Sequence, residues 1–152
     1  MSLQLFPEVA LNTVNNYLSY VTEEAYTSNG FHRIIEGFMI QGGSLSNPNL
    51  PINGDFLSNG FDNRLSHDRG VISMARTTVN NSATSQFFIV HKRSSFLDGN
   101  YAGFGGLISG FNVLDQIAQV STRNDVPVNK VIIESISVDL KGHVVEEVVY
   151  VE

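Results

Sequence analysis

Phe31-His32-Arg33-Ile34-Ile35-Glu36-Gly37-Phe38-Met39-Ile40-Gln41-Gly42-Gly43 packs apolar side chains around one arginine and one glutamine and ends on two glycines. The run reads as strand, and because successive side chains in a strand point to opposite faces, Arg33 and its neighbours separate onto two faces. Such a strand offers Arg33 and Gln41 beside large apolar groups such as Phe38 and Met39. A second dense stretch follows: Gly70-Val71-Ile72-Ser73-Met74-Ala75-Arg76, then Asn81-Ser82-Ala83-Thr84-Ser85-Gln86-Phe87-Phe88-Ile89-Val90. It predicts short strands over 71–75 and 86–91, joined by a polar loop.

Outward from these runs, residues 2–6 alternate as a short strand. Val9, Val14, Tyr17, Leu18, Val21 and Tyr26 recur at helical spacing, stopped by Ser28-Asn29-Gly30. Residues 44–70 are rich in Asn, Gly, Ser, Pro and Asp, and so long a stretch without regular structure is uncommon in a compact domain unless it has a task. Three glycines and two aromatics at 101–108 suggest a strongly bent strand. Val113, Leu114, Ile117 and Val120 return to one helix face. Val131–Leu140 and Val144–Val151 are β-rich, with Lys141-Gly142 between them as a hairpin turn. Many short strands and two helices make the chain mainly β.

Composition removes whole classes of chemistry. The 152 residues fit a single domain, able to bury roughly 68–70% of the surface its unfolded form exposes. Cysteine and tryptophan are absent, so disulfides, cysteine-held metals and thiol nucleophiles are excluded. The four histidines lie 24 or more residues apart with no paired metal-ligand spacing, and no G-x-S-x-G elbow exists, since Gly43-Ser44-Leu45-Ser46 lacks the closing glycine. No metal or cofactor is expected. A net charge of −6 argues against nucleic acid, which selects a basic face. No apolar run approaches the roughly 20 residues that cross a bilayer, so no membrane partner is expected. With no secretory pattern at the start, the expected setting is cytoplasmic.

F-H-R-I-I-x-G-F-M-I-Q-G-G at 31–43 and S-A-T-S-Q-F-F-I at 82–89, in this order and spacing, resemble the cyclophilin family of peptidyl-prolyl isomerases. Similarity runs from about residue 3 to residue 139, and M-A-R-T before N-S-A-T-S-Q-F-F is similar to bacterial members. The resemblance implies a closed eight-stranded antiparallel barrel capped by two helices, at about 8–26 and 110–120. It implies catalysis by Arg33 with Gln41 holding substrate backbone. Phe38, Met39, Phe88 and Leu97 would form the proline pocket, the Ala75-Arg76 edge would bind the residue before proline, and Gln86 would help hold the arginine. Phe96-Leu97-Asp98-Gly99 matches a W/F-L-D-G motif, and Tyr101 falls where many members carry His.

The implied partners are proline-containing peptides and unfolded proteins. Phe96 stands where many members have Trp, and Phe has no N–H to donate, so weak cyclosporin binding is expected. Family members usually begin with a strand before the one at 3–6. The sequence instead runs on through 141–152, and Val144–Val151 is expected to fill that strand position, in a monomer or a strand-swapped dimer. Two functions follow: an active isomerase, or a catalytically weak module that binds Pro-containing segments.

Overall fold

The computed structural model describes all residues from 1 to 152. Its centre is a six-stranded antiparallel sheet of β1 (Ser2–Leu5), β2 (Phe31–Ile35), β3 (Met39–Gly42), β4 (Val71–Met74), β5 (Phe87–Val90) and β6 (Gly103–Ser109). The strand order is β1-β6-β4-β5-β3-β2. Helices α1 (Leu11–Thr22) and α2 (Phe111–Ala118) flank it, and β7 (Thr122–Arg123) with β8 (Val126–Pro127) forms a small separate hairpin. No helix is long and apolar enough to cross a membrane.

The run at 31–41 is two strands rather than one. Gly37, at φ +80°, takes a backbone conformation that a side chain resists, and the chain folds back there into the β2–β3 hairpin. His91 locks the turn. Its Nδ1 accepts from the Gly37 N–H at 2.8 Å, and its own N–H donates to the Phe38 carbonyl at 2.8 Å. With Nδ1 accepting, the ring proton lies on Nε2 and donates to Asp115 of α2 at 2.9 Å. Arg69 grips the same carboxylate with two bonds, of 2.6 and 3.0 Å.

Strand alternation divides the interior in two. Inward-facing Ile72, Met74, Phe87 and Ile89 join α1 and Phe104 in the main core, while Val71, Phe88 and Val90 join Met39 and Leu97 in a second cluster on the opposite face. Gly105 has no room for a side chain: a Cβ there would stand 2.5 Å from the Gln4 carbonyl, so glycine lets β6 approach β1.

Both helices are shorter than expected. Left-handed Glu24 follows the end of the first at Thr22, short of the expected residue 26, and left-handed Gly110 sets the start of the second. Ala10 cannot cap α1. Instead buried Asp55, from the long loop, accepts from the Thr13 N–H at 3.0 Å and the Thr13 hydroxyl at 2.8 Å, placing a carboxylate against the helix N-terminus. The loop is ordered by such bonds rather than by strands. Asn63 donates to the carbonyls of Asp55 and Gly103, and Asn59 to that of Gly54 and to Asn81.

The C-terminal third corrects the sequence reading most. The Lys141-Gly142 turn forms, with φ +47° and +84° and a 2.8 Å bond from the His143 N–H to the Leu140 carbonyl. Neither flank, however, forms a ladder strand. Residues 131–133 bond to 28–31 beside the start of β2 through a single bridge, Gly30 to Ile132. Val144–Val151 runs past α1, exchanging two bonds with Asn12, and bridges Ile52 through Tyr150. The physical reason is Glu146-Glu147: in any strand register two adjacent glutamates turn one carboxylate toward the apolar interior, where a lone charge is costly. Hydrogen bonds therefore do not close the sheet, and β1 remains an edge.

Candidate active site

Strand register builds the site. Arg33 of β2 stands opposite Gln41 of β3, Gln41 opposite Phe88 of β5, and Phe88 opposite Ser73 of β4, so the four share a row across four strands. Directly opposed residues bring their side chains together, which fixes the order cation, amide, aromatic ring across the face. Arg33 Nη1 donates to Gln41 Oε1 at 3.4 Å, and Gln41 Nε2 donates to Gln86 Oε1 at 2.9 Å.

The row opens on a depression of about 150 Å³ lined by Arg33, Phe38, Met39, Gln41, Ala75, Arg76, Phe88, Leu97 and Tyr101. Nine of the eleven candidate residues from the sequence thus meet in one place. Gln86 lies behind Gln41 and reaches Arg33 only through it. Phe96 is 69% exposed and stands outside the lining, its ring 5.4 Å from that of Phe38.

The floor is apolar and rigid, since Met39, Phe88 and Leu97 are all buried. The rim carries two guanidinium groups, and neither forms a salt bridge although the chain is acidic overall. Arg33 is exposed. Arg76 is clamped between the rings of Tyr101 and Phe56, 4.4 and 4.9 Å from the guanidinium carbon, and donates to the carbonyls of Asn100 and Thr77. Ala75 is tied to the residue just before β5 by a 3.0 Å bond from its N–H to the Gln86 carbonyl.

A buried polar group that the sequence reading did not single out supports the floor. His67 stacks 6.2 Å from the Phe88 ring, its Nδ1 is 3.1 Å from Asp98 and its Nε2 is 2.9 Å from the Ser73 hydroxyl. A carboxylate only accepts, so Nδ1 carries the proton and Nε2 accepts from Ser73. Burial lowers the His67 pKa below its usual value, against the opposing pull of Asp98. The order Ser-His-Asp is that of a hydrolytic triad, yet Ser73 is 0% exposed and no substrate reaches it. Six and 31 residues separate His67 from its partners, so no spacing rule exposes the group; only Asp98 lay in a recognised motif.

This arrangement of guanidinium, glutamine and apolar floor has counterparts. The sequence matches the family model for cyclophilin type peptidyl-prolyl cis-trans isomerases over residues 1–138. The chain belongs to the cyclophilin family. It is 40% identical to peptidyl-prolyl cis-trans isomerase A of Dickeya dadantii, with 89% of this chain and 77% of that protein covered. It is 37% identical to peptidyl-prolyl cis-trans isomerase B of Escherichia coli, with 90% and 92% covered. A Cryptosporidium parvum cyclophilin, crystallised in the presence of the dipeptide Ala-Pro, superposes with a TM-score of 0.77 at 28% identity and 88% coverage of each chain. The activity of this cyclophilin is therefore isomerisation of X-Pro peptide bonds.

Proposed function

We propose that the depression at Arg33 is where this cyclophilin turns the X-Pro bond, with the proline ring on Met39, Phe88 and Leu97 and the guanidinium facing the proline nitrogen. The uncatalysed bond turns over in tens to hundreds of seconds because amide resonance sets a barrier of about 18–20 kcal/mol. Rotation breaks that resonance and returns a lone pair to nitrogen. A donor aimed there binds the twisted state more tightly than either planar state, which is what lowers a barrier. Arg33 stays charged at any working pH and presents a planar fork of donors. Shortening the half-time to about 10 ms requires roughly 10³ to 10⁴ in rate, or about 4–5.5 kcal/mol. One preorganised donor is typically worth about 3–4 kcal/mol, and fixed contacts supply the remainder.

Gln41 has two tasks in this reading. Its Oε1 steadies Arg33, and as the middle member of the row it faces substrate backbone. Phe38 and Tyr101 wall the pocket, and the Ala75-Arg76 edge receives the residue before proline. The observation that carries the assignment is the row itself, which sets an unpaired guanidinium beside a closed apolar floor. Clients are Pro-containing segments of unfolded proteins, since the pocket selects proline and little else.

The family's closed eight-stranded barrel belongs to the same reading. Six strands are laddered and 131–139 lies next in order beside β2, so one strand position separates it from β1. The test of function is protease-coupled isomerisation of a short X-Pro peptide. Acceleration well above the spontaneous rate is expected; binding without acceleration would return the chain to the class of weak peptide-binding modules.

A further inference from the structure

The rim of the depression carries charge of one sign only. Arg33 and Arg76 are the charged residues of its lining, no acid stands among the rest, and neither guanidinium meets a carboxylate within ion-pair distance. On a chain of net charge −6 this is a local reversal of sign. Uncompensated charge at a cleft draws groups of opposite sign and repels those of the same sign, so it sorts the segments that bind there.

The two arginines are placed and held differently. Arg33 lies on β2 and Arg76 just beyond β4; in the order β4-β5-β3-β2 three strand spacings of about 4.8 Å, or about 14 Å, separate those strands. The two residues therefore flank the depression from opposite sides. The Arg76 guanidinium carbon is fixed 4.4 Å from the Tyr101 ring centre and 4.9 Å from that of Phe56. Its Nε and Nη2 donate to the Asn100 carbonyl at 3.2 and 2.6 Å, and its Nη1 to the Thr77 carbonyl at 2.9 Å. A guanidinium has five N–H groups, so one on Nη1 and one on Nη2 have no partner in the chain. A carboxylate, with two acceptor oxygens, matches such a pair. Exposed ion pairs gain little chiefly because two long side chains must be ordered. Arg76 is ordered already.

From these observations we infer that the Arg76 side chain makes this cyclophilin selective for an acidic residue, Glu or Asp, immediately before the proline. The inference rests on the isomerase reading, because that reading lays the residue before proline along the Ala75-Arg76 edge. The apolar floor chooses the proline ring, and Arg76 chooses its neighbour. An acid at this position pairs with the cation that takes no part in the rotation and leaves Arg33 free to face the proline nitrogen. A lysine there meets an immobile like charge. The favoured clients are thus Glu-Pro and Asp-Pro segments, and Lys-Pro and Arg-Pro segments are the poorest.

The test uses the full chain and the peptides acetyl-Ala-X-Pro-Phe-p-nitroanilide, with Glu, Gln or Lys at X, in protease-coupled isomerisation. At low salt kcat/KM for the Glu peptide should exceed that for Gln by about three- to fivefold and that for Lys by about tenfold. At about 0.5 M NaCl both ratios should fall below about twofold, since screening then acts within a few ångströms. A peptide of the same charge, with Glu moved to three residues before proline and Gln next to it, should match the Gln peptide. Arg76→Gln should bring the three X peptides within about a factor of two of one another, and Arg76→Glu should favour Lys, with circular dichroism establishing that both variants are folded. A change of sign in the preference separates direct pairing from a merely structural role of Arg76. Equal turnover of the Glu and Gln peptides, an equal gain from the displaced Glu, or a Glu preference that survives in folded Arg76→Gln would each overturn the inference while leaving the isomerase reading intact. No acceleration of any peptide would overturn that reading and the inference with it.

Discussion

Of the two arginines on the face, neither spent on a carboxylate, Arg33 is the one not held between aromatic rings. The mechanism proposed for it moves no proton, so kcat/KM should vary less than about twofold between pH 6.5 and 9; a bell-shaped profile would mean that an acid or base takes part. Stability, in contrast, should depend on pH through His67. An unfolded histidine titrates near 6.5, whereas burial holds folded His67 lower. Below pH 6.5 the unfolded chain binds the extra proton and the folded one does not, so stability falls as pH drops through 6.5 and levels off beneath the folded pKa. Asp115 adds a second step in acid. Held at about 2 by Arg69 first and His91 after it, the carboxylate contributes stability present above 3.8 and lost as pH falls toward 2. Thermal midpoints measured from pH 7.5 to 5 should decline, and His67→Gln should flatten that decline. Arg33, Gln41, Phe38 and Phe88 were legible in the sequence because they sit in short unbroken strings. His67 and Ser73 were not, because a buried hydrogen bond between residues on different segments leaves no local pattern.

At the scale of elements, turns and loops rather than strands decide how the face is presented. The β2–β3 hairpin sets Arg33 opposite Gln41, and the sequence hid it because apolar residues run on through Glu36-Gly37; one glycine at positive φ makes the difference. The long loop looked unstructured because its order comes from Asn and Asp side chains bonding to backbone, which periodicity does not register. Asp55 anchors this loop to α1, and Asp55→Ala would leave the buried Thr13 N–H and hydroxyl without their partner. The expected loss is about 1–3 kcal/mol of unfolding free energy by urea titration. The short helical turn Ser95–Leu97 divides its residues, with Leu97 in the pocket floor and Phe96 outside on Phe38. Phe96 offers a ring but no donor, so cyclosporin titrated in a calorimeter should bind weakly, and Phe96→Trp should tighten it. Tight binding by the unaltered chain would contradict this account of Phe96.

Across the whole molecule, one sheet serves two surfaces. Its outer face carries the row of Arg33, Gln41 and Phe88, its inner face the core, and β4 and β5 contribute alternate residues to each, so the pocket floor and the core stiffen one another. The mainly β class, the two helices and the nine candidate residues that line one depression could be read from residue patterns and the family strings. The state of the open side could not, because strand propensity in 131–140 and 144–151 is high while the decision rests on one charge pair, Glu146-Glu147, and on edges distant in sequence. The chain's acidity likewise conceals a groove rim whose two arginines have no acid beside them. The claim on which the account turns is that Arg33 stabilises the twisted X-Pro bond. The direct measurement is kcat/KM for isomerisation of one short X-Pro peptide by the unaltered chain and by Arg33→Ala, with circular dichroism to establish that both are folded. A fall of about 10² to 10³ in the folded variant is predicted; a folded variant within a factor of three of the unaltered chain would contradict it.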